Sequence, residues 1–184
     1  MGHDGAVSTP ARPTTDPLEL VALDTERHVA RSGWDQNPRL FALVPTADLL
    51  EREPHLAGGL SVGDLAPGAL TAVEQEDLPR AASVESLLAR IAWPGSVAGC
   101  ALALERIVVP PGADAELPDD PDEAATALLA HPQRQDIRLV VAVTRDGASR
   151  CLVRQRAHDS DDAVASGDRL APGVIDALRA TLED

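Results

Sequence analysis

The stretch Arg138 to Arg156, RLVVAVTRDGASRCLVRQR, leaves this chain little choice of local structure. Two runs of β-branched and apolar residues flank Asp146-Gly147, a pair that adopts tight-turn geometry readily, so the stretch predicts a β-hairpin. Side chains alternate between sheet faces, so the loop length decides which residues share a face. A three-residue loop, Arg145-Asp146-Gly147, pairs Val141 with Cys151 and Leu139 with Val153. One face then carries Leu139, Val141, Val143, Cys151 and Val153, all fit for a core. A two-residue loop would set Leu139 opposite Arg154 and mix core with charge. The three-residue loop is therefore preferred. Its opposite face carries Arg138, Val140, Ala142, Arg150, Leu152, Arg154 and Arg156, a cationic surface in a chain of formal net charge −14.

That contrast makes composition informative. All 16 basic residues are arginine, and lysine and tyrosine are absent. Without lysine there is no Schiff-base chemistry, no P-loop and no kinase-type β3 lysine. The acidic balance disfavours nucleic acid and anionic membrane as partners. A hydrophobic fraction of 44% supports a folded core, and aromatics at 2% make that core aliphatic. No apolar run reaches the roughly 18 residues of a spanning helix. Neither a secretory h-region nor a fitting myristoylation pattern stands at the start. Two cysteines far apart, with no CxxC, point to buried thiols in a cytoplasmic protein.

Residues 1–15 are polar and rich in Pro and Gly, so they are expected to form a disordered tail before one domain over 16–184. Asp16-Pro17-Leu18-Glu19 starts a helix whose buried stripe is Leu18, Val21, Ala22, Thr25 and Val29. Gly33 should end it. Arg39 to Val44 predicts a strand and Thr46 to about Glu53 a short helix. His55 to Leu70 predicts a loop. Thr71-Ala72-Val73-Glu74 has a capping-box pattern and predicts a short helix ending near Pro79. Ser83 caps another helix, with Val84, Leu87, Leu88 and Ile91 as its stripe. Gly99 to Val109 predicts a long strand, and Asp120 opens a helix up to His131-Pro132. After the hairpin, HDSDDAVASGD predicts a mobile loop, and Pro172 begins the last helix. The order is α-β-α-α-α-β-α-β-β-α. It implies an α+β fold with one four-stranded antiparallel or mixed sheet and helices packed on its core face.

Catalytic and metal motifs are missing from this pattern. The five histidines are scattered, and His158 to Asp162 departs from a calcium loop at Ala163 and Val164. Gly95-Ser96-Val97-Ala98-Gly99 is not a nucleophile elbow, and both cysteines fall within strands. No catalytic residue, metal or cofactor is expected. The arginine face is the stronger candidate, because like charges at cross-strand spacing repel unless an anion lies among them. That anion can be internal, from Glu105, Asp136, Asp159, Asp161 or Asp162. It can also be external, which makes Arg138, Arg150, Arg154 and Arg156 a fork for an acidic partner. The first expectation is thus a non-enzymatic module binding a protein or peptide through a cationic sheet face. The second is a small-molecule or enzyme pocket at the strand ends, built from Trp34, Arg39, Trp93, Glu105 and Arg106. A deep pocket around those five would favour the second.

The phrases GWDQNPRLFALVPT, IAWPGSVAGCALALERIVVPP, HPQRQDIRLVVAVTRDG and LVRQRAHD together resemble a family of uncharacterised proteins of this length from actinobacteria. The resemblance covers about residues 16–184 and implies no activity. The element order also resembles that of type III secretion chaperones. That likeness implies a small sheet packed on helices and a homodimer.

Overall fold

A computed structural model describes residues 14–60, 63–168 and 170–183. In chain order the elements are α1 (Pro17–Ala30), β1 (Arg39–Pro45), α2 (Thr46–Arg52), β2 (Leu70–Glu74), α3 (Val84–Leu88) and β3 (Gly99–Val108). There follow α4 (Pro121–Ala130), β4 (Gln135–Thr144), β5 (Ser149–Gln155), β6 (Ala165–Gly167) and α5 (Pro172–Ala180). The strands form one sheet in the order β2-β1-β3-β4-β5-β6, with every neighbouring pair antiparallel. The fold is α+β.

The hairpin has the predicted register. Val141 faces Cys151, Leu139 faces Val153 and Arg138 faces Arg154. Thr144 N–H bonds the Ala148 carbonyl across the loop, and Gly147 sits at φ +92°, where a side chain would be strained. Helix α1 also starts as predicted, with an Asp16 carboxylate oxygen accepting the Leu18 N–H at 3.2 Å and Pro17 in the first turn. Gly33, at φ +81°, lies just beyond its end.

Six strands replace the four expected, and both additions lie at the sheet edges. Leu70–Glu74 pairs with β1 as β2, where a short helix was expected from Thr71. A helix of fewer than about ten residues is marginal unless it packs, and an unpaired β1 edge offers a ladder of hydrogen bonds instead. Ala165–Gly167 pairs with Cys151 to Val153 as β6, inside the stretch expected to be a mobile loop. The expected tail over residues 1–15 lies, for residues 1–13, outside the described residues.

The second correction concerns the layers. Helices cover both faces of the sheet. On one face α3, α5 and the residues just after α5 pack Leu88, Val174, Ile175, Leu178 and Leu182 against Leu40, Leu102, Leu139, Val141, Val143 and both cysteines. On the other, α1 lays Leu18, Val21, Ala22 and Val29 on Phe41, Leu43, Ala101, Ala103, Val140, Ala142 and Leu152. The second set includes the Val140, Ala142 and Leu152 of the supposed cationic face. That face is therefore a second core layer with arginines at its margins. An open cationic face would have left those apolar residues in water, at roughly 25 cal/mol per Å² of apolar surface. Small residues at 101, 103 and 142 let α1 come close. No helix among the described residues is long and apolar enough to cross a membrane.

Candidate functional site

The arginines of the hairpin meet carboxylates brought from elsewhere in the chain. Arg154 is fully enclosed, with its side chain 3% exposed. Its Nε and Nη2 donate to the two oxygens of Glu26 on α1 at 2.6 and 2.7 Å. Nη1 and Nη2 also reach Asp159 at 3.1 Å and Asp161 at 2.6 Å. The Glu26 hydrogen bonds hold the Arg154 pKa well above its usual range. Such a pair, fully hydrogen-bonded, offsets the cost of burying its two charges.

Arg138 lies beside it, with its side chain 1% exposed. Its Nη2 donates to Glu105 at 3.0 Å and to the Gly33 carbonyl, and its guanidinium stacks 4.4 Å from the Trp34 ring centroid. The ring face supplies the attraction that a second carboxylate would otherwise give. Nε and Nη1 of Arg138 are buried and have no hydrogen-bond partner among the described residues. Arg150 bridges Asp16 at 2.7 Å and Asp168 at 2.8 Å, tying the start of α1 to the segment before α5. Three of the four arginines thus spend their charge inside the fold.

Arg156, just past the end of β5, differs from them. It is 42% exposed and forks onto Asp35 at 2.8 and 3.0 Å, with Asp136 at 3.9 Å. The same pair holds the Asp35 carboxyl below its usual range. Trp34 lies between the two guanidiniums, 5.6 Å from that of Arg156, and its indole N–H donates to Asp159 at 2.9 Å. That hydrogen bond lowers the Asp159 pKa.

Trp34, Asp35 and Arg156 form one wall of an open cleft of about 720 Å³ at this end of the sheet. The ends of β3 and β4 supply Glu105, Arg106, Ile107, Asp136 and Ile137. Helix α4 and its exit supply Leu128, Leu129 and Arg134. Leu129 is 56% exposed. Arg106 and Arg134 are held only loosely by carboxylates, each at 3.9 Å, from Glu85 and Asp136. The lining holds three arginines and three carboxylates, so it is close to neutral within a strongly acidic chain. Asp136 Oδ1 is buried there with no hydrogen-bond partner among the described residues.

Of the five residues expected around a strand-end pocket, the structure unites Trp34, Glu105 and Arg106. Arg39 and Trp93 lie elsewhere. Arg39 forks onto Glu74 at 2.6 Å through both Nε and Nη2, and with His28 it joins α1 to the β2 edge. Trp93 donates to Thr181 at 3.0 Å on the α5 side of the sheet, so a sheet thickness separates it from Trp34. Asp35, Arg134, Leu128 and Leu129 were not singled out from sequence. A turn aspartate and a Leu-Leu pair on a short helix carry no signal until the turn and helix are placed. Cys100 and Cys151 are free and buried, and burial pushes the Cys100 thiol up to about 11. Among the described residues no group of three or more His, Cys, Asp or Glu could hold a metal ion.

No curated protein and no solved structure matches the chain. A family model described as PPA1309-like protein matches residues 18–183, a span that includes both sheet faces and the cleft, and the chain belongs to that family.

Proposed function

We propose that this protein is a non-enzymatic binding module, and that its ligand surface is the cleft rather than a sheet face. The occupant we favour is an acidic, leucine- or isoleucine-bearing segment of a partner protein. One observation carries the reading. A single open cleft gathers Trp34, Arg106, Arg134 and Arg156 beside the apolar side chains of Ile107, Leu128, Leu129 and Ile137. Arginine and tryptophan dominate the energetics of protein interfaces because each offers a large flat surface together with directed hydrogen bonds. In a chain of net charge −14, a locally neutral cleft is also where an acidic segment meets least repulsion. The likeness to secretion chaperones rested on a four-stranded order that the six-stranded sheet replaces, so it adds no support for a dimer.

A cytoplasmic partner is the reading that two buried, unpaired thiols favour. The test is affinity capture from the native host with the parent protein and an Arg106→Glu/Arg134→Glu variant. Partners that bind through the cleft should be lost with the charge reversal. An unchanged set of captured proteins would overturn the reading. The cleft volume also falls in the roughly 300–1,000 Å³ range of small-molecule sites. A small acidic metabolite is thus the second reading, and native mass spectrometry of the host-purified protein would reveal it as an added mass.

A further inference from the structure

Asp35 and Arg156 form a carboxylate fork that lies at the surface and belongs to the cleft wall. The carboxylate is 74% exposed and the guanidinium 42%. Paired at this exposure, two ions gain little net stability from each other, because water and salt solvate both. The loop nonetheless holds Asp35 in place firmly. Its N–H donates to Glu105 at 2.8 Å, and its backbone lies at φ +64°, a conformation in which Asp is among the few tolerated residues.

From this we infer that Asp35 is an internal stand-in for the ligand carboxylate: an aspartate or glutamate side chain of the bound segment takes its place on Arg156. The inference rests on the cleft reading above and deepens it by naming the recognised group. An incoming carboxylate reproduces the same fork on Arg156. It also brings neighbouring side chains to Leu128, Leu129 and Ile137, contacts that Asp35 cannot make from its own loop. Exchange therefore loses nothing at the guanidinium and gains apolar contact. While Asp35 occupies Arg156, the apparent affinity is lowered by the fraction of molecules in which the guanidinium is available. The exchange also leaves Trp34 beside the ligand, since its ring flanks Arg156.

The test uses two probes, the peptide amides acetyl-Leu-Glu-Glu-Leu and acetyl-Leu-Gln-Gln-Leu, titrated into the full chain. The readout is the NMR signal of the Trp34 indole N–H, told apart from that of Trp93 by a Trp93→Phe variant. The acidic peptide should move the Trp34 signal and the neutral peptide should not. Asp35→Asn should tighten acidic-peptide binding about two- to sixfold by removing the competitor. Asparagine tolerates the positive φ and keeps the N–H bonded to Glu105, so this variant retains the loop. Arg156→Gln should abolish the response with Asp35 present or replaced. If Asp35→Asn binds no more tightly while Arg156→Gln still abolishes binding, the stand-in role is overturned and the cleft reading survives. If the acidic peptide moves Trp34 in neither the parent nor Asp35→Asn, both fail. Equal binding of the neutral peptide would also overturn the inference, because the carboxylate would not be what is recognised.

Discussion

Arg154 and Arg156 stand two residues apart on the same side of the sheet, yet the fold treats them in opposite ways. Arg154 is enclosed by α1 and held by carboxylates from Glu26, Asp159 and Asp161. Arg156 lies at the rim and is forked by a loop carboxylate that water reaches freely, with Asp136 farther away at 3.9 Å. The chain supplied both with the same chemistry. What separates them is where α1 ends. Its last turns cover Arg154, and the chain then turns at Gly33, so that Trp34 and Asp35 rather than another helix turn meet Arg156. An arginine acts as structure where the fold delivers a buried counter-ion, and on the proposal above it faces a ligand where the counter-ion is exposed.

The largest expected effect sharpens this contrast from the buried side. Replacing Glu26 with Gln leaves Arg154 enclosed without its fork, and removal of one partner of a buried pair costs about 3–5 kcal/mol. Urea unfolding measures it directly. A smaller loss is expected at the boundary between the two arginines. Trp34→Leu removes the ring face from the buried Arg138, at a cost on the order of 2 kcal/mol for a desolvated cation–π contact. The same measurement checks it, and an unchanged midpoint would mean that Glu105 and the Gly33 carbonyl suffice.

Acid should loosen the pairs whose carboxylates are held below their ordinary values. Hydrogen bonds from Arg39, Arg156 and Trp34 hold Glu74, Asp35 and Asp159 below their ordinary values of 4.5 for Glu and 3.8 for Asp. The stabilisation from each is therefore complete above its ordinary value and is lost as pH falls through the lower folded value. Asp24, pushed up by burial, opposes this, because protonating it relieves a cost. Thermal midpoints should thus fall below about pH 4, and Arg39→Gln should flatten the Glu74 share of that fall. A further effect is alkaline. The unfolded Cys100 thiol ionises near 9.0 and the folded one near 11, so stability should decline by roughly 2–3 kcal/mol as pH rises between those values. Thiol reagents should label Cys100 and Cys151 slowly in the folded chain and quickly in urea.

Much of the fold could be read from residues whose local chemistry admits one answer. Asp146-Gly147 with alternating strands gave the hairpin register, and Asp16-Pro17 gave the start of α1. The edge strands could not be read in this way. Leu70–Glu74 carries both a capping pattern and an alternation, and only the open edge of β1 decides between them. Ala165–Gly167 has no apolar signal and is a strand because β5 lies beside it. The arginine face misled for a related reason. Glu26 reads as a surface residue on an amphipathic helix, and its partner Arg154 is 128 positions away. At the cleft, Trp34, Glu105, Arg106 and Arg156 were legible as chemistry. Asp35 and Arg134 acquired meaning only once their turns were placed.

The central claim is that the fold gives Arg154 a buried, structural counter-ion and Arg156, just past β5, an exposed one. Urea unfolding of Arg154→Gln and Arg156→Gln, measured side by side in the same buffer, tests it most directly. The account predicts a large drop in midpoint for Arg154→Gln, which strands the buried Glu26 carboxylate, and a midpoint within error of the parent for Arg156→Gln. Equal drops in the two variants, or a larger one for Arg156→Gln, would contradict it.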